Sequence, residues 1–98
     1  MLTVEVFLAD PIITDLKLPP LDTTKMRFVY CVEMADGEDE QLLERTFCAL
    51  NINHPADYHE RSLSVGDVVT IAGTRSYRCD WVGWQKLDCC LRQEVRCG

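Results

Sequence analysis

Apolar and polar positions alternate at the start of this 98-residue chain, and again from residue 26. Leu2-Thr-Val-Glu-Val-Phe-Leu8 has the period of two that marks a strand with one partly solvated face. Met26-Arg-Phe-Val-Tyr-Cys-Val-Glu-Met34 is rich in β-branched and aromatic residues and predicts a second strand. Between them, residues 9–24 hold Pro11, Pro19 and Pro20. Proline lacks an N–H and cannot continue a helix or a central strand, so this stretch predicts a loop, with a short turn at 12–17. The period then changes. After Asp36-Gly37, the residues Leu42, Leu43, Thr46, Phe47 and Leu50 fall at helical spacing and give one apolar face. Asp39 can cap this helix, which is expected over 39–51 and ends at Asn51 or Asn53.

Residues 54–62 are polar and irregular, and His54 before Pro55 is held extended. Val65–Ile71 predicts a strand entered through Gly66-Asp67. Ala72-Gly73-Thr74 predicts a turn, and Ser76–Leu87 a second strand of the same hairpin. Gly83 within it suggests a bulge or a close backbone approach. The tail 88–98 is compatible with a short helix or a final strand. These elements predict a single α+β domain over 1–98. Four to five mainly antiparallel strands would pack on, or curl around, one helix, and the ends could close into a small, partly open barrel.

Composition narrows the class. The hydrophobic fraction is 47% and the charged fraction 27%, as in ordinary globular domains. No apolar run approaches the roughly 20 residues of a membrane helix. The N-terminus has no basic leader, so the cytoplasm is the expected location and six cysteines are expected as reduced thiols. Cys31 and Cys48 sit in apolar patterns and are expected in the core. Cys97 near the end is a site for disulfide-linked dimerisation. Net charge is −6, unevenly spread: residues 1–60 carry −8 and residues 61–98 carry +2. Phosphate backbones repel such a surface, so direct nucleic-acid binding is disfavoured. A basic groove on another protein would be attracted.

The segment LERTFCALNINHPADYHERSLSVGDVV, with SYRCDWVGWQKL after it, resembles the YodL-like domain over residues 43–87. The pattern is carried by Phe47, Asn51, Pro55, Tyr58, Arg61, Ser62, Leu63, Ser64, Val65, Asp67, Val68 and Val69. Tyr77, Asp80, Gly83, Trp84 and Leu87 continue it. Trp84 stands where phenylalanine is usual. The resemblance implies a context of plasmids, conjugative elements and phages of Gram-positive bacteria, and it implies no reaction.

Candidate chemistry is sparse. Cys79, Cys89, Cys90 and Cys97 with His54 and His59 invite a zinc reading, but no C-x-x-C pair is present and metal binding is not expected. A Cys–His nucleophile pair would lack an orienting third group. Arg61 could pair with Asp80, and Asp67 could cap its own turn. The alternative for this polar set is a pocket mouth walled by Tyr58, Tyr77, Trp81 and Trp84. Trp81 and Trp84 would face opposite sides of a regular strand, leaving one exposed as an interface anchor. Glu38, Asp39, Glu40 and Glu44 form a solvated helix start or, more sharply, a face that mimics nucleic acid.

The expectation is a non-enzymatic binding protein of a mobile element or phage, needing no cofactor. Its partner would be a host or element-encoded protein, in the sharpest form a nucleic-acid-binding defence nuclease such as a CRISPR nuclease. Self-association is compatible with the sequence. The alternative is a module that captures a nucleotide signal, with Arg61, Arg75 or Arg78 on phosphate and an aromatic on the base. A hydrolase is the least favoured class.

Overall fold

In the computed structural model, residues 1–14 and 17–91 are described. Five strands form one open antiparallel sheet: β1 (Leu2–Ala9), β2 (Met26–Met34), β3 (Val68–Ile71), β4 (Arg75–Asp80) and β5 (Gly83–Lys86). The spatial order is β2-β1-β3-β4-β5. The one α-helix among the described residues, α1 (Asp39–Asn51), lies in the crossover from β2 to β3, and a 3-10 turn at Thr23–Lys25 precedes β2. The α+β expectation holds, as an open sheet and not a barrel. Among the described residues, no helix is long and apolar enough to cross a membrane.

The central strand is β1, paired to β2 on one side and β3 on the other. That position explains its burial on both faces: Val4, Val6 and Leu8 are fully buried, and Glu5, Phe7 and Ala9 nearly so. The first set faces α1. It packs with Leu42, Leu43, Leu50, Tyr58, Leu63, Val69 and Ile71 as the main core. Each such aliphatic side chain contributes about 1.5–3 kcal/mol by leaving water. On the other face Phe7 meets Phe28 edge-on at 5.6 Å.

That second face is covered by the proline segment. A side chain at Gly66 would come within 2.3 Å of the Ile13 side chain, and Gly66 has φ +96°. Glycine is therefore required twice over, by close approach and by a backbone region that L-residues avoid.

The helix spans the predicted residues, but its cap differs. Glu38 is the N-cap, with its backbone N–H donating to Gln41 Oε1 at 3.0 Å. Asp39 is turned to other use, described below. Phe47 is 36% exposed, so the apolar stripe is narrower than the pattern suggested. Cys48 is exposed and Cys31 half-buried, whereas Cys79 is the buried thiol.

The C-terminal half holds the larger corrections. Val65-Gly66-Asp67 forms a turn, and β3 starts only at Val68. The predicted strand 76–87 is two strands, broken at Trp81-Val82. Gly83 has φ +141°, and nothing lies within 4 Å of the position its Cβ would take. It reverses the chain; no backbone approaches it closely. Residues 88–91 lie outside regular structure, and the possible tail helix or strand falls mostly on residues 92–98, outside those described.

Candidate functional site

Residues 52–67 have little regular structure, and several of their backbone groups are satisfied by side chains. Asn51, the last helical residue, donates Nδ2 to the Leu63 carbonyl at 3.1 Å and accepts from Leu63 N–H at 2.7 Å. Tyr58 O–H donates to the Arg61 carbonyl at 2.5 Å, and its ring meets Tyr30 edge-on at 5.3 Å. Burial, then the nearby Asp67 charge, pushes the Tyr58 hydroxyl above its ordinary pKa.

At the centre is Asp67, fully buried. Its carboxylate accepts from Ala9 N–H at 2.8 Å, Ser64 N–H at 2.7 Å, and Arg61 Nη1 and Nη2 at 2.7 and 2.8 Å. Arg61 also donates to the Ala9 carbonyl at 2.7 Å and the Ser62 carbonyl at 3.0 Å. The pair is bidentate, the strong form of an arginine–carboxylate contact. It fastens the loop to the end of β1. Arg61 thus pairs with Asp67 and not with Asp80; Asp80 accepts from Trp81 N–H at 2.6 Å. The expected turn-capping role of Asp67 is realised through Ser64.

The second cluster joins helix to sheet. Asp39 accepts from Arg75 Nε at 2.7 Å and Nη2 at 3.0 Å, and from the Tyr77 hydroxyl. The Arg75 guanidinium holds the Asp39 carboxyl below the usual carboxylate range, with Tyr77 adding to it. Burial, then this acceptor, raises the Tyr77 hydroxyl. Asp39 is therefore a strut between α1 and β4 and not a free member of the acidic face. Glu38, Glu40 and Glu44 are exposed beside it.

The third feature is the β4–β5 loop. Trp81 is 55% exposed and Val82 96%. Trp84, by contrast, packs against the core. The two tryptophans divide as the spacing predicted, but because one sits in a turn, not because both sit on one strand. The four aromatics do not wall one pocket: Tyr58 lies in the 54–62 loop, Tyr77 under α1 and Trp81 at the loop tip. A cleft beside Trp81 is lined by Arg78, Asp80, Gln85 and the proline segment.

Both histidines are exposed. His54 Nε2 lies 3.4 Å from Ser62 Oγ, at the limit of a hydrogen bond. Among the described residues, no three His, Cys, Asp or Glu side chains could hold a metal ion. Cys79 lies on β4, where burial and then Asp67 and Asp80 push its thiol up to about 11. Cys90 donates weakly to the Gly73 carbonyl at 3.2 Å. Cys97 lies outside the described residues. The sequence reading undervalued Arg78 and missed Val82. Arg78 alternates with Tyr77 and Cys79 on a strand with neighbours on both sides, a pattern that puts it on the face away from α1.

Searches among curated proteins and solved structures give no match. A family model for the YodL-like domain matches residues 9–89, which adds the proline segment and β2 to the residues that first suggested the likeness. The chain belongs to the YodL-like domain family.

Proposed function

We propose that this protein acts by binding another protein, without catalysis, in the cytoplasm of a cell carrying a phage or mobile element. The observation that carries the proposal is the Trp81-Val82 loop. Two-residue hairpin loops favour Asn, Asp and Gly, which tolerate the positive φ that tight turns need. Here the loop presents an indole and an isopropyl group to solvent. Tryptophan is among the residue types enriched at interface hot spots.

The acidic start of α1 supplies a second contact of different character. It lies over Arg75 and Tyr77, at the opposite end of β4 from the loop. Five residue steps of strand put the two roughly 17 Å apart, within one interface of about 800 Å² per partner. A partner with a basic, nucleic-acid-binding groove suits Glu40 and Glu44, and a defence nuclease is the sharpest candidate of that chemistry.

Affinity capture with the tagged chain from phage-challenged cells tests this reading. Trp81→Ser with Val82→Ser is expected to abolish a stoichiometric partner while leaving the melting temperature unchanged, since neither side chain is buried. Reversal of Glu40 and Glu44 to Lys is expected to weaken capture most at low salt. Asp39 is left intact because it braces the fold. A partner retained by both variants, or no partner at all, would overturn the proposal.

A further inference from the structure

After β5 the chain turns back across the sheet. Leu87 N–H donates to the Ser76 carbonyl at 2.9 Å, and residues 88–91 follow without helix or strand. They lie against Thr70 and Ser76, which oppose each other on β3 and β4 and are both fully buried. Thr70 also opposes Glu5 on β1, so the pair is on the sheet face away from α1. The two hydroxyls are 2.7 Å apart. Leu91 N–H donates to Ser76 Oγ at 2.8 Å, and Thr70 Oγ1 donates to the Leu91 carbonyl at 2.5 Å. Cys90 Sγ donates to the Gly73 carbonyl at 3.2 Å and accepts from Ser76 Oγ at 3.7 Å. Residues 88–91 are thus a strap, fastened to the sheet by Cys90 and Leu91.

The hold is light. Asp88, Cys89 and Cys90 are exposed and Leu91 is half-buried. Segments that commit so little apolar surface open locally at low cost. The same exposure leaves two adjacent thiols accessible, and access is a condition of thiol reactivity. The other described cysteines differ. Cys79 is buried, Cys31 is half-buried, and Cys48 is exposed on α1 without a cysteine beside it. Neighbouring side chains on a strand point to opposite faces and cannot be joined. Here the chain bends at residues 88 and 89, and that restriction does not apply.

We propose that Cys89-Cys90 is a redox-modified dithiol, closed to a disulfide by a low-molecular-weight disulfide, and that closure releases residues 88–91 from the sheet. The Cys89 thiolate attacks one sulfur of the small disulfide and expels one thiolate. The Cys90 thiolate then attacks Cys89 Sγ of the mixed disulfide and expels the second. The protein gives up two electrons and two protons, which leave as two small thiols. Closure removes the S–H that Cys90 donates to Gly73 and turns its sulfur toward Cys89. Leu91, the next residue, is then drawn off Thr70 and Ser76. A disulfide between adjacent exposed residues is strained and readily reduced again, as suits a transient signal in a reducing compartment. The inference does not depend on the Trp81-Val82 loop or on the protein-binding reading.

The test treats the full reduced chain with glutathione disulfide, alkylates the remaining thiols and digests with trypsin. Cleavage after Lys86 and Arg92 frees residues 87–92, which hold Cys89 and Cys90 and no other cysteine. That peptide is expected two hydrogens lighter and unalkylated. In the oxidised protein the Leu91 amide is expected to exchange with deuterium roughly tenfold faster, the change for about one hydrogen bond lost, and dithiothreitol should reverse it. Cys90→Ser keeps a donor for the Gly73 carbonyl but cannot close the ring, so its Leu91 amide should exchange at one rate with and without oxidant. A peptide recovered alkylated, still carrying glutathione, or linked to the peptide of another cysteine would overturn the proposal. So would a closed ring with unchanged Leu91 exchange, or an equal acceleration in Cys90→Ser.

Discussion

At the scale of single residues, this chain spends its most distinctive side chains on holding irregular backbone in place. Asp67 and Arg61 satisfy donors and acceptors from Ala9, Ser62 and Ser64 at once. Such a network is worth much when complete and is costly when one member is missing. Asp67→Ala is expected to destabilise the protein by about 3 kcal/mol or more, read by chemical denaturation, because Arg61 and two N–H groups lose their acceptor. Asp39 gives a pH-dependent case. Its carboxyl is held low by Arg75 and Tyr77, so the pair stabilises the fold above the ordinary carboxylate range. That contribution is lost as pH falls through the lower folded-state value. Asp39→Asn should cost about 1 kcal/mol at pH 7, solvent screening of the half-exposed arginine included. The gap between variant and native chain should close as pH drops below about 4. Thermal melts across that range measure both.

At the scale of elements, the turns decide more than the strands. Thr74 N–H donates to the Ile71 carbonyl at 3.1 Å, closing a turn in which Ala72 and Gly73 have φ of 56° and 65°. Two positive φ values are the mark of a type I′ turn, which suits the right-handed twist of its strands. Alanine is a poor residue there, since its Cβ crowds the following carbonyl. Ala72→Asn is expected to raise stability by roughly 0.5 kcal/mol, seen as a small rise in melting temperature. Absence of that rise would mean that the Ala72 contact with the core outweighs the backbone relief. The other hairpin is built differently: Trp81 and Val82 occupy the loop and Gly83 at +141° returns the chain. Its apolar tip projects beyond the sheet and stays exposed.

At the scale of the molecule, β1 is the organising strand. It separates β2 from β3, so the β2-α1-β3 connection crosses over it. The family match begins at residue 9, the last residue of that strand. The sheet nonetheless depends on residues 2–8. Deletion of residues 2–9 would expose Leu42, Leu43, Val69 and Ile71 and leave β2 and β3 without a shared neighbour. The expected result is a chain without a cooperative melt, read by far-UV circular dichroism. A cooperative melt would mean that β2 and β3 can pair directly.

Much of this was legible in the sequence, for a physical reason. Hydrophobic period is a local property, and it marked Met26–Met34 and Asp39–Asn51 to the residue, along with β1 to within one. Proline at 11, 19 and 20 marked the loop in the same local way. What could not be found locally were the partners. Asp67 lies 58 residues from the Ala9 N–H that it accepts from, and Asp39 lies 36 from Arg75. Nothing in the spacing says which carboxylate meets which arginine, so Arg61 was matched to Asp80 and Asp39 to a helix cap. The tertiary structure alone settled those pairings. It also buried Arg78, because burial belongs to the face a residue shares with distant segments and not to its neighbours in the chain.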